Sequence, residues 1–383
     1  MNEKYKSSVD KRPFLIILLV ALFLILLLLF TFWAYQMGQQ VGNPLHTAAE
    51  GSQNPITTTM TEISPSNNSI DTAENAETPS GTVRVNPLSA GSLIERHGWT
   101  IELLAFERGQ TAWQTLHATH APNPVPPEGK EYLNIKLRIR NNTNEKTFFS
   151  FALTGDSLRK YYGFDHYLVS PKPWLEQTVP IGKESVGWDT FIVQENEQNL
   201  MLVFDIGDYD DPPIYLALAE GTTIPFDPSM VNIARTDLGV NQDQPVPFGQ
   251  VATGEDWQLV VLDVIKGEEA WTRILDTNQF NDPPEAGMEY IMVKLRVRYI
   301  GTNDEGEAVS YAPFSMMTTS GDEFGHTAVV QPKPELDYIL YPGGEAEGWI
   351  VLTVPEKAKN LTLFFSPDSS GANDRYLSLG QGR

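Results

Sequence analysis

The sequence predicts an all-β protein: two tandem β-sandwich domains, preceded by a single transmembrane helix and a disordered stalk. Three observations carry this. Residues 129–140 read GKEYLNIKLRIR and residues 287–298 read GMEYIMVKLRVR, the same strand written twice 158 positions apart. Around it, short strand-like runs alternate with Pro-, Gly- and Asn-rich turns, as in sandwiches of antiparallel sheets. Ahead of both copies lies one uncharged apolar run, FLIILLVALFLILLLLFTFW, at residues 14–33.

In chain order, residues 1–13 form a short positive tail, with Lys4, Lys6, Lys11 and Arg12 against Glu3 and Asp10. Residues 14–36 are assigned to the transmembrane helix. About 20 apolar residues span a hydrocarbon core of roughly 30 Å. No small-residue cleavage pattern follows, so an uncleaved anchor is expected. The basic tail keeps the N-terminus in the cytoplasm and places the bulk of the chain outside the cell membrane. Residues 37–82 are rich in Thr, Ser, Asn, Pro, Gly and Glu. They hold too little apolar surface to offset ordering entropy and read as a flexible stalk.

The repeat occupies residues 83–220 and 245–380, with a connection at 221–244. Trp99 matches Trp257, and Ala112-Trp113 matches Ala270-Trp271. After a short insertion, Pro171-Lys172-Pro173 matches Pro332-Lys333-Pro334, and Gly187-Trp188 matches Gly348-Trp349. In the duplicated strand Leu133, Ile135, Leu137 and Ile139 alternate with Asn134, Lys136, Arg138 and Arg140. Period two places the first set on a core and the second set outside. No long amphipathic helix is predicted.

The pattern Gly-x-Glu-Tyr, an alternating strand, then Pro-x-Gly-x-x-x-x-Gly-Trp and Asn-Leu-x-Leu-x-Phe resembles the telokin-like, immunoglobulin-like extracellular domains of bacteria. The match is fullest from Tyr341-Pro342-Gly343-Gly344-Glu345 to Phe364-Phe365. It departs at residues 180–184 of the first copy and in lacking a lipid-attachment cysteine. The resemblance implies an immunoglobulin-like fold and an extracellular setting, and no particular activity.

Composition narrows function further. Lys and Arg total 27 against 49 Asp and Glu, a net charge of −22. Such a body repels phosphate backbones, so no nucleic-acid partner is expected. The absence of cysteine removes disulfides, thiolate metal sites and thiol nucleophiles. No nucleophile elbow, Walker loop, zinc-protease or dinucleotide motif occurs, and the protein is expected not to be an enzyme. No cofactor is expected, with calcium as the one candidate. Asp205, Asp208, Asp210 and Asp211 cluster oxygen ligands in one turn, although without EF-hand spacing. His117 and His120 lie three apart and have no third ligand in view.

Two partner-binding features stand out. Trp174 follows a Pro-Lys-Pro segment and is replaced in the second copy by Glu335. Lys136, Arg138 and Arg140 form a basic row on an acidic body. The expected function is a membrane-anchored, extracytoplasmic binding or scaffolding protein with a protein or envelope-polymer partner. The alternative is a carbohydrate- or calcium-binding sensor subunit of a cell-envelope complex.

Overall fold

The computed structural model describes Thr61–Glu62 and residues 80–144, 147–163, 168–207 and 211–380. The expected cytoplasmic tail at 1–13, the expected transmembrane helix at 14–36 and nearly all of the expected stalk at 37–82 lie outside them. Among the described residues no helix is long and apolar enough to cross a membrane. All of them belong to one compact unit, Leu45–Arg383.

The elements in order are β1 (Thr61–Glu62), β2 (Ile94–Arg96), β3 (Trp99–Arg108), α1 (Gly109–Thr119), β4 (Lys130–Asn141), β5 (Thr147–Phe148), β6 (Ala152–Thr154), β7 (Tyr161–Tyr162), β8 (Thr178–Val179), β9 (Glu184–Gln194), β10 (Met201–Phe204) and β11 (Ile214–Ala217). There follow β12 (Ala252–Thr253), β13 (Trp257–Lys266), α2 (Glu268–Thr277), β14 (Met288–Tyr299), β15 (Glu307–Val309), β16 (Phe314–Met317), β17 (Glu323–Phe324), β18 (Tyr338–Leu340), β19 (Glu345–Pro355), β20 (Thr362–Phe365) and β21 (Arg375–Ser378).

One arrangement occurs twice. In the first copy β3-β4-β9 form one antiparallel sheet, with β1 and β2 along β3, and β11-β10-β6-β7 form a second. In the second copy β12-β13-β14-β19 and β17-β16-β20-β21 take the same places. The duplicated strand is the centre of its sheet in both, and a register shift interrupts β3–β4 and β13–β14 at matching points. Alternation is the cause of the layering. Leu133, Ile135, Leu137 and Ile139 are fully buried and meet Leu153, Leu202, Phe204 and Leu216 from the facing sheet. Ile291, Val293, Leu295 and Val297 do the same against Met316, Leu363 and Phe365. Each such side chain contributes about 1.5–3 kcal/mol of transfer free energy. The result is an all-β, sandwich-like molecule.

The helices correct the sequence reading. Residues 109–119 and 268–277 are helical, with Ala112 and Leu116, or Ala270 and Ile274, buried on one side. They lie across the outer face of the first sheet in each copy, against Tyr132 or against Tyr290 and Met292. Asn134, assigned outside by alternation, is therefore fully buried. Its amide donates to Glu107 Oε2 at 3.0 Å and Ala112 O at 3.2 Å, and accepts from Thr190 Oγ1 at 3.0 Å. A buried amide so partnered avoids the cost of an unmade hydrogen bond.

The copies are joined by more than the connection. Tyr341 N–H donates to Leu158 O and Lys160 N–H to Ile339 O, each at 2.9 Å. Arg84, 7 % exposed, pairs with Asp304 at 3.0 Å and lies 4.3 Å from the Tyr341 ring centroid. Arg159 donates to Glu345 O at 3.0 Å and covers the Tyr338 ring at 4.8 Å. The connection is itself pinned to the second copy. Asn232 N–H donates to Ile300 O, and the buried Arg375 donates to Thr236 O and Thr253 O.

Candidate functional site

The two partner-binding features proposed from sequence lie on one surface of the first copy. The sheet register places Lys136 opposite Trp188, Arg138 opposite Val186 and Arg140 opposite Glu184. The helix covers only the Tyr132–Asn134 end of this face, so the rest stays open: Arg138 and Arg140 are exposed and Lys136 half-buried. Trp174 adjoins Trp188 across a parallel bridge, with Trp188 N–H donating to Pro173 O and Leu175 N–H to Trp188 O. Gly187 permits this approach, because a Cβ there would lie 2.2 Å from the Trp174 carbonyl carbon. The order across the surface is therefore Trp174, Trp188, Lys136.

Each member is held differently. The Trp174 indole is 51 % exposed, and its Nε1–H donates to Ser170 O at 2.9 Å. Lys172 Nζ stands 5.3 Å from its ring centroid, and Lys136 Nζ stands 5.5 Å from that of Trp188. Cations over indole rings are held by the ring quadrupole and keep their charge available. Arg138 pairs with Glu102 on β3. Among the described residues no carboxylate pairs with Lys136, Lys172 or Arg140.

The second copy keeps the frame and cancels the chemistry. Lys294 pairs with Glu347 at 3.1 Å, Arg296 with the same carboxylate at 2.8 Å, and Arg298 with Glu345 at 2.7 Å. Val186 has become Glu347, and Trp174 has become Glu335, beside Trp349 in the same bridge. Burial pushes the Glu335 carboxyl up to about 7, with Lys333 opposing.

The remaining candidates gather no comparable surface. Asp205 pairs with Lys160 at 3.0 Å, and Asp211 contacts Arg96 at 3.4 Å and His97 at 3.1 Å. Asp208 and Asp210 lie outside the described residues. Among the described residues no group of three or more His, Asp or Glu is placed to hold a metal ion. His117 packs on Trp113 at 5.0 Å, on the exposed surface of α1.

Sequence reasoning missed a cleft of about 670 Å³ between α1 and the turn after β9, lined by Arg108, Trp113, Lys130, Glu131 and Asn199. Arg108 pairs with Glu131 and donates to Glu197 O at 2.6 Å. Lys266 repeats both contacts in the second copy, to Glu289 and Ala358 O, each at 3.0 Å. The pair thus braces the fold in both copies. Peculiar to the first copy are Lys130, where burial beside Arg159 lowers the ammonium to about 8, and Glu197, which accepts from Tyr161 Oη at 2.6 Å. Lys130 and Glu197 replace Met288 and Ala358, a difference readable only once the copies are aligned.

No protein-family model and no curated protein matches the chain. Among solved structures, the lipoprotein candidate ycdA of Bacillus subtilis is 13 % identical, with a TM-score of 0.26 over 33 % of this chain and 37 % of that one. The yjhA protein of the same organism is 11 % identical, with a TM-score of 0.25 over 35 % of this chain and 98 % of that one. A β-sandwich protein of Clostridium difficile is 12 % identical, with a TM-score of 0.23 over 38 % of this chain and 99 % of that one. At these identities and scores the likenesses assign neither family nor function.

Proposed function

We propose that the chain is a non-catalytic, membrane-anchored binding and scaffolding protein of the cell exterior. Its two copies are read as tandem immunoglobulin-like domains of the telokin-like kind, anchored by the helix at 14–36 and raised on the stalk at 37–82, which is not free throughout, because Thr61–Glu62 pairs with β3. The copies act as one unit, because Arg84 and Arg159 of the first are engaged by the second. The working surface is the Trp174–Trp188–Lys136 face of the first copy. The observation that carries this reading is the asymmetry between copies: among the described residues no carboxylate pairs with Lys136 or Arg140 beside an exposed indole, whereas Glu345 and Glu347 neutralise Lys294, Arg296 and Arg298 in the second copy.

The test uses the full-length protein in neutral detergent, sedimented with isolated cell envelopes. Charge reversal of Lys136, Arg138 and Arg140 together is expected to lower retention at least about tenfold at low salt and to flatten its salt dependence. Retention unchanged by the reversal would overturn the assignment. Protease added to whole cells is expected to remove everything beyond the stalk, and an ectodomain protected in intact cells would reverse the topology.

A further inference from the structure

Resting on the reading of this face as a binding surface, we propose that its ligand is an anionic polysaccharide. One sugar ring stacks on Trp174, and acidic groups of the same polymer meet Lys172, Lys136 and Arg140.

The indole supplies the first half of this recognition. It is 51 % exposed, its polar atom is committed to Ser170 O, and Lys172 is held at its ring. A large apolar face so fixed loses little entropy when a flat ligand covers it. The cations supply the second half. Residues two apart on a strand are separated by roughly 6.6–6.8 Å, so Lys136 to Arg140 spans about 13 Å. Trp174 lies two strands to the side of Lys136, about 10 Å away at the usual strand spacing of roughly 4.8 Å. A ligand touching ring and row together must be an extended chain carrying both rings and charges.

Charge density separates the polymers that meet this description. The chain is at −22, so a small basic face attracts only locally. Nucleic acid brings a phosphate for every base and would crowd negative charge against the acidic surroundings. A polysaccharide with one acid for every two rings brings few charges and many faces to stack. An acidic peptide brings charge without rings.

The probe is hyaluronate, immobilised and exposed to the full-length protein in neutral detergent, with dextran, polyglutamate and phosphatidylglycerol vesicles alongside. Retention is expected on hyaluronate alone, falling at least about tenfold for Trp174→Ala and for Lys136→Glu with Arg140→Glu. Trp174→Phe, which keeps a ring, should retain most of it. Because Trp174 bridges Trp188, each variant is also melted, and Lys172→Glu replaces any that loses its fold. The proposal is overturned if hyaluronate fails to retain the protein, if folded Trp174→Ala binds as well as the native chain, or if polyglutamate or the vesicles bind more tightly. If hyaluronate fails while envelope retention still depends on the basic row, the ligand class is wrong and the binding face stands. If neither depends on that row, both readings fall.

Discussion

The two copies were built from one plan and differ where side chains leave the core. Their sheets, registers and helices coincide, and so does the brace made by Arg108 in one and Lys266 in the other. Their outer faces do not. Lys136 and Lys294 occupy the same register position, yet one covers an indole and the other a carboxylate. Interior positions are held by close packing, which tolerates few changes of volume or polarity. Surface positions are free to diverge, because most surface substitutions change stability by less than about 0.5 kcal/mol. Divergence at the surface is therefore unconstrained by the fold, and binding measurements decide where it serves function.

The largest effect should come from breaking what the copies share. Leu137→Asp and Leu295→Asp each place an unpaired carboxylate at a fully buried position. The cost of several kcal/mol is comparable to the roughly 5–15 kcal/mol that holds a domain together. Either variant is expected to leave its own copy unfolded and to lower the unfolding enthalpy of the chain by about half. Lys136→Glu, one position away on the open face, should melt like the native protein. Equal losses for Leu137→Asp and Lys136→Glu would refute the assignment of faces.

The next effect concerns what joins the copies. Arg84→Ala removes a buried guanidinium, its pair with Asp304 and its contact with Tyr341. A charged hydrogen bond and a desolvated cation–π contact together contribute about 2–4 kcal/mol. Calorimetry should then resolve two transitions where the native chain shows one. A single transition shifted as a whole would mean that the remaining contacts suffice to couple them.

A third comparison lies at the half-buried Asp189, on the side of β9 that faces the core. Asp189 sits opposite Ile135, in the position that Ile350 occupies opposite Val293. Burial pushes the Asp189 carboxyl up to about 7, against hydrogen bonds from Thr190 N–H and Gln177. The folded protein therefore keeps a proton that the unfolded chain releases near pH 4. Its stabilising effect is full below that pH and is lost as pH rises to about 7. Asp189→Asn should match the native melting temperature at pH 4 and exceed it at pH 8. An equal gain at both pH values would locate the effect in packing.

Much of this was legible in the sequence because alternation and duplication are strong signals. The duplicated strand lies where period two placed it, at Lys130–Asn141 and Met288–Tyr299, within a residue at each end. The helices escaped because each is barely three turns and buries only two residues four apart, Ala112 with Leu116 and Ala270 with Ile274. That spacing is too brief to stand out among strands. The same omission misplaced Asn134, since nothing in β4 alone shows that a helix will cover it. The junction was hidden for a different reason. Arg84 and Asp304 are 220 residues apart, and no local pattern couples them. At the candidate face the residues were identified, but Trp174 and the basic row read as separate features. The bridge from Trp174 to Trp188, and the Lys136–Trp188 register beyond it, unite them.

The smallest expected change in stability comes with the sharpest change in binding. Glu335→Trp combined with Glu347→Val gives the second copy the side chains of the first. Loss of the Glu347 pairs with Lys294 and Arg296 costs little, since exposed ion pairs contribute about 0–1 kcal/mol. Removing Glu335 relieves a carboxyl held by burial near 7, which acts in the opposite direction. The net shift in melting temperature should be within a few degrees. If the face is defined by an exposed indole beside unpaired cations, the double variant should rescue hyaluronate retention in a chain whose first face has been disabled by Trp174→Ala. Lys294→Glu, made on the native second face, should change nothing, because that surface is already neutralised. Failure of the rescue in a folded double variant would show that Lys172 and Trp174 act through the shape of the first copy's own loop. The element that distinguishes the copies would then be the Pro171–Leu175 segment as a whole, and grafting that segment in place of residues 332–336 would be the decisive exchange.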